Sequence, residues 1–157
     1  LPINFDIYGP KEDKKYWDLC KVIIDSLPES IDVNYMGSIE NDSVHDMFQN
    51  YDLFFFPTKG ENFGHVILES MSAGTPTLIA DTTPWKNLQE FGVGWDIPLS
   101  SPSEFANAIE NMFKLNEKEY LKMRNSARNY AEKVTNDVSI LNQSKELFLN
   151  SLGRENV

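Results

Sequence analysis

The run DLFFFPT, residues 52–58, is continuously apolar from Leu53 to Pro57 and shows no alternation of polar and apolar positions there. A strand of that kind has no solvated face, which is the pattern of a parallel sheet covered by helices on both sides. Its surroundings fit the same architecture. INFDIYG (3–9), IDVNYMG (31–37), PTLIAD (76–81) and GVGWDIPL (92–99) read as further strands. Helical stretches separate them. Residues 10–27 carry Trp17, Leu19, Cys20, Ile23, Ile24 and Leu27 at helical spacing, with Pro10 near the start. Residues 41–51 read as a helix capped by Asn41 or Asp42. A helix entered near Gly64 is stopped by Gly74 and Pro76, and a short one in 82–92 has Pro84 in its first turn. Ser101, Pro102 and Glu104 form a capping-box pattern at the start of a helix over 101–115, and 117–134 and 137–152 are two more helices. Strands alternating with helices predict an α/β fold, a doubly wound parallel sheet flanked by helices with a helical C-terminal tail.

The 157 residues are 41% hydrophobic, which suits one ordinary globular domain. The formal charge of −10 argues against nucleic acid or an anionic membrane as the main partner, so an anionic ligand needs locally placed donors. Cys20 is the single cysteine, which excludes a disulfide framework and a cysteine metal site and points to a reducing compartment, the cytoplasm. No apolar run approaches the roughly 20 residues of a membrane span, and no signal peptide is evident. The chain opens LPINFDIYGP, without an initiator Met and straight into a strand, so it is expected to be a piece of a longer protein.

Ligands of doubly wound sheets sit beyond the carboxyl ends of the strands, where loops run into helix N-termini. The stretch TKGENFGHVILESMSAGTP (58–76) supplies such a loop. Gly60, Asn62 and Gly64 permit unusual backbone conformations. The first amides of the following helix, around Phe63 to Val66, can take an anion in the positive field of the helix dipole. Two carboxylates flank them, Glu61 and Glu69, with seven residues between. Glu61 can accept bonds from hydroxyls. Glu69 lies about 7 Å along the axis from Gly64, leans toward the N-terminus and can take both hydroxyls of a vicinal diol. His65 shares its face one turn earlier. By spacing alone, a buried helix whose acids are merely solvated is the stronger reading. His45 stands alone and reads as a surface or capping residue, and no Asp-x-Asp or other metal-ligand spacing occurs.

PTKGENFGHVILESMSAGTPTLIAD resembles the donor-binding segment of GT-B glycosyltransferases, in the large retaining group 1 family that builds bacterial surface polysaccharides. Pro57, Glu61, Phe63, Gly64, Glu69, Ala73, Gly74, Pro76 and Asp81 fall in the register of that pattern, and similarity extends over about residues 3–115. Asn62 stands where the pattern has glycine, and His65 where many members have an aliphatic residue. The resemblance implies a Rossmann-like half of a GT-B fold, with a nucleotide-sugar-binding domain over 1–134 and a C-terminal helix and tail over 135–157 of the same domain. It implies sugar transfer from a nucleotide diphosphate sugar with retention, to a polysaccharide or lipid-linked acceptor, usually without a metal and with no cofactor. UDP is favoured over GDP on family frequency. In these roles Glu69 holds the ribose, and Glu61 serves the transferred sugar as the catalytic-site acid. The amides of Asn62, Phe63 and Gly64 hold that sugar and the distal phosphate, with His65 beside them. The loops at Gly9 and at Gly37 to Ile39 line the diphosphate and base pockets.

The family's first strand and its basic diphosphate clamp precede the point where this chain begins. Lys11, Lys59 and Lys86 are nearby cations that match neither clamp residue and read as solvated lysines. Strand 3–8 is therefore expected to pair directly with 52–57, or the gap to be filled by a rearranged segment or a second copy of the chain. The acceptor-binding N-terminal domain is a missing partner too, so the fragment alone is expected to be inactive, and any membrane contact of the parent, peripheral at the inner face of the plasma membrane, runs through that half. A non-catalytic nucleotide-sugar-binding module and a nucleotide-sugar epimerase of the same fold are the alternatives. Asp52 begins its strand instead of ending it, which argues against a phosphorylated signalling domain.

Overall fold

A computed structural model describes residues 2–136. They form two compact units, divided between Val44 and His45. In the first, β1 (Ile3–Tyr8) and β2 (Ile31–Gly37) pair in parallel, connected by helix α1 (Lys14–Ile24). The register runs Ile3 to Ile31 through Ile7 to Tyr35 and shifts before Tyr8, which faces Gly37. Helix α1 starts four residues later than Pro10 because Asp13 is its N-cap, with its carboxylate accepting from the Tyr16 amide at 3.0 Å. Helix α2 (Asn41–Gln49) already includes Asn41, so neither Asn41 nor Asp42 precedes it as a cap; Asp42 sits in the first turn, where the dipole favours an acid.

The second unit holds β3 (Phe54–Phe56), β4 (Thr77–Ala80) and β5 (Gly94–Ile97), all parallel, in the order β3-β4-β5. Helix α3 (His65–Ala73) follows β3, α4 (Leu88–Phe91) follows β4, and α5 (Pro102–Lys114) and α6 (Glu117–Asn136) follow β5. The central strand shows the double winding. Ile79 points into a core with Ile67 and Met71 of α3 and Ala127 and Ala131 of α6, whereas Leu78 points into one with Ile97 and with Phe105 and Ala108 of α5. Both faces are thus covered, and every residue of β4 is buried. Strand β3 is half-buried instead of fully buried because it takes an end position in this ladder. Its residues still alternate between the cores, Phe54 and Phe56 against one and Phe55, with Leu53 just before the strand, against the other.

The predicted fold class is the one observed. Direct pairing of 3–8 with 52–57 is not part of either ladder, since β1 pairs with β2 and β3 with β4. The crossovers through α1, α3 and α4 each return the next strand beside the one just left, the short connection that chain entropy favours. Two local expectations also change. Pro84 precedes α4 without entering it, and the helix is started by Asn87 at φ 58°, with the Asp96 carboxylate accepting the Asn87 and Leu88 amides at 3.1 and 2.9 Å. Ser101 is the N-cap of α5 with Pro102 in its first turn, but its side chain makes no capping bond; its carbonyl accepts the Glu104 amide at 2.9 Å. The helix expected at 137–152 lies outside the described residues.

Candidate functional site

The segment from Pro57 to Gly64 leaves the carboxyl end of β3 and enters α3, as the sequence suggests. Its first half is tied to itself and to the next loop. The Thr58 hydroxyl donates to the Gly60 carbonyl at 2.8 Å, and the Thr82 hydroxyl donates to the Thr58 carbonyl at 2.6 Å. Gly64 ends the loop in the left-handed region, φ 79° and ψ 56°, and no side chain caps α3. A Cβ at Gly64 would lie 2.8 Å from Ile67 Cδ1 and 3.1 Å from Glu61 Cγ, so glycine is required both by φ and by space.

The consequence is an open helix start. Among the described residues the N–H groups of Phe63, Gly64, His65 and Val66 have no hydrogen-bond acceptor, while the first helical bonds run from Ile67 and Leu68 to the Gly64 carbonyl. The Asn62 amide differs, because it donates to the Glu61 carboxylate at 2.9 Å. Glu61 is half-buried and folded back over the loop with one oxygen held. Along α3, Ile67, Ser70, Met71 and Ala73 are buried, which leaves His65, Glu69 and Ser72 as an exposed stripe. Glu69 therefore stands in solvent one turn beyond His65, on the helix whose start carries the open amides. The His65 ring lies 4.7 Å from that of Phe63. The structure thus brings Glu61, Asn62, Phe63, Gly64, His65 and Glu69 into one loop and two helical turns.

Gly9, Gly37 and Ile39 belong to the first unit, where the Gly9 amide donates to the Gly37 carbonyl at 2.9 Å at the carboxyl ends of β1 and β2. Of the three lysines read as solvated, Lys11 and Lys86 have partners. Lys11 lies over the Trp17 and Tyr35 rings at 4.3 and 3.5 Å, and Lys86 donates to the Asp81 carbonyl; Lys59 is exposed. His45 is exposed on α2. Among the described residues no group of three His, Cys, Asp or Glu side chains could hold a metal ion, and no helix is long and apolar enough to cross a membrane.

Sequence reading overlooked Trp85. Its indole N–H donates to the Phe63 carbonyl at 2.5 Å, and its ring meets the Phe63 ring edge-on at 5.7 Å. The signal available was a lone tryptophan after Thr82, Thr83 and Pro84, at a strand end where the helical pattern offered it no role.

A parallel sheet with helices on both faces, and an uncapped helix start beyond a strand's carboxyl end, defines a doubly wound domain of the ligand-binding kind. A family model described as glycosyl transferases group 1 matches residues 2–134. The chain belongs to the group 1 glycosyltransferase family, and its fold is that of a GT-B domain. It is similar to a solved structure, the catalytic domain of cholesterol-α-glucosyltransferase from Helicobacter pylori, with a TM-score of 0.61 and 14% sequence identity, covering 85% of this chain and 99% of that one. No curated protein sequence matches the chain.

Proposed function

We propose that this chain is the donor-binding domain of a retaining glycosyltransferase and takes a nucleotide diphosphate sugar, with UDP-sugars ahead of GDP-sugars. One observation carries the reading: the unpartnered amides from Phe63 to Val66 open beside Glu61 and within two turns of the exposed Glu69. The reaction expels a nucleoside diphosphate, so its principal demand is stabilisation of developing negative charge. Fixed amides at a helix start supply that at no reorganisation cost, and the helix dipole has the right sign. Glu69 accepts both ribose hydroxyls. Glu61, with one oxygen held by the Asn62 amide, turns the other toward hydroxyls of the transferred sugar. No cofactor enters this reading, because the donor is a substrate. A polysaccharide or lipid-linked oligosaccharide receives the sugar, held by a second domain, and the 157-residue chain alone binds donor without transferring it. The parent works on the cytoplasmic side.

Calorimetric titration with UDP, GDP and their sugars tests this directly. The parent chain binds the matching donor, and Glu69→Ala weakens it by about tenfold or more, the loss of a charged hydrogen-bonding partner worth about 1.5–3 kcal/mol. An unchanged dissociation constant would show the ribose assignment to be wrong.

A further inference from the structure

We propose that Trp85, which lies outside the loop expected to meet the donor, aims that loop's amides: it is a positioning residue for the distal phosphate and the transferred sugar. The inference rests on the donor-site reading above. Trp85 sits between β4 and α4, is 6% exposed, and belongs to the core cluster of Ile67, Met71, Ile79, Leu88 and Val93. Its ring lies 6.2 Å from that of Tyr130 on α6, so three elements of the core fix where the indole points. From that anchored position it donates to the Phe63 carbonyl and stacks edge-on against the Phe63 ring.

The geometry of one peptide unit turns this contact into a site property. The Phe63 carbonyl and the Gly64 N–H belong to the same peptide, and in a trans peptide the two point in opposite directions. Among the described residues no peptide bond is cis. Holding the Phe63 oxygen against the indole therefore turns the Gly64 N–H away from the core and toward the open helix start. Local backbone preference would not do this. Gly64 tolerates φ of either sign, so rotation of the 63–64 peptide meets no Cβ on the Gly64 side. A rotated peptide would bury the N–H and present a carbonyl oxygen to the diphosphate, an acceptor facing an anion. The freedom that lets the loop approach a ligand is the freedom that demands an external tether. Trp85 provides it from the neighbouring strand's end.

The test compares Trp85→Phe with the parent 157-residue chain, using UDP and UMP as ligands and the amide spectrum as the structural readout. Phenylalanine keeps an aromatic ring in the core and removes the N–H donor. UDP carries the distal phosphate assigned to the Gly64 amide; UMP does not. We expect UDP binding to weaken by about fivefold, the order of one neutral hydrogen bond, with UMP binding unchanged and the Gly64 amide resonance displaced. A general loosening of the core would weaken both nucleotides equally, and that outcome overturns the proposal. So does UDP affinity equal to the parent's. A parent that binds neither nucleotide overturns the donor-site reading and this inference with it, whereas a parent that binds UDP and a variant that matches it overturn this inference alone. If Trp85→Phe does not fold cooperatively, benzothienylalanine at position 85 replaces it. That side chain preserves the bicyclic shape and lacks the N–H, and its outcomes are judged in the same way.

Discussion

Gly64 is the residue at which backbone, packing and ligand chemistry meet. Its φ of 79° excludes an ordinary side chain, and the space a Cβ would need is taken by Ile67 Cδ1 and the Trp85 indole. Gly64→Ala should cost about 2 kcal/mol, the left-handed penalty plus a tight contact, read as a lower denaturant midpoint at unchanged slope. It should also displace the loop amides and weaken nucleotide binding. Glu69→Ala is the complementary case, because an exposed residue with no contact to the core should lose binding at constant stability. A pair of variants behaving in these two ways separates the loop's structural role from its chemical one. Glu61 sits between the extremes. Its bond to the Asn62 amide is one that Gln can also accept, so Glu61→Gln should preserve the loop while removing the charge.

At the scale of elements, α6 holds the second unit together by reaching the ends of its neighbours. Arg128 donates to the Ala73 carbonyl at 3.1 Å, at the C-terminus of α3, where Gly74 adopts φ 83° and its amide and that of Thr75 return to Met71 and Ser70. One turn earlier, Arg124 donates to the Tyr51 carbonyl at 3.3 Å and to the Tyr120 hydroxyl at 2.8 Å, and Tyr120 donates to Asp52 at 2.9 Å. Cations at helix C-termini complement the dipole. Arg128→Ala should therefore destabilise by about 1–2 kcal/mol, a fall of several degrees in thermal midpoint, without changing nucleotide affinity. The site is at the opposite end of α3, so a loss of binding in this variant would show that the helix itself, and not only its first turn, depends on α6.

At the scale of the molecule the two units differ in how much they bury. Helix α1 has no buried residue, and Tyr16, Leu19, Val22 and Ile23 are each more than 60% exposed, whereas β4 is buried throughout. Amide hydrogen exchange should accordingly be fast in α1 and slowest in β4, and equal protection of the two would contradict this ranking. Alkali acts on the second unit. Burial holds the Tyr120 hydroxyl above its ordinary range, with the Arg124 bond opposing and Asp52 adding to the effect; burial and then Asp96 do the same for Tyr130. A proton held more tightly in the folded state stabilises fully below the unfolded value near pH 10 and is lost as pH rises through the folded value. Stability should fall above about pH 10, and less steeply in Tyr120→Phe, as followed by denaturation against pH.

The sequence by itself determined the alternation of strands and helices, because side-chain hydrophobicity sets whether a segment is buried and its period sets how. DLFFFPT and PTLIAD carry that information locally, as do the glycines that begin and end α3. It also determined which residues share the loop proposed to meet the donor, since Glu61 to Glu69 are neighbours in the chain. The spacing of the two acids could not say whether they were solvated ornaments or a site; family register pointed to a site, and the open amides between them support it. Only the tertiary structure decided what holds that loop. Trp85 lies 22 positions from Phe63, and Arg128 55 positions from Ala73. No local pattern encodes such contacts, because a hydrogen bond between segments far apart in the chain depends on how whole elements pack and not on the period of either. The same reason explains the strand order: hydrophobic runs say that strands are buried, but which strand lies beside which is settled by the crossovers that bring their backbones together.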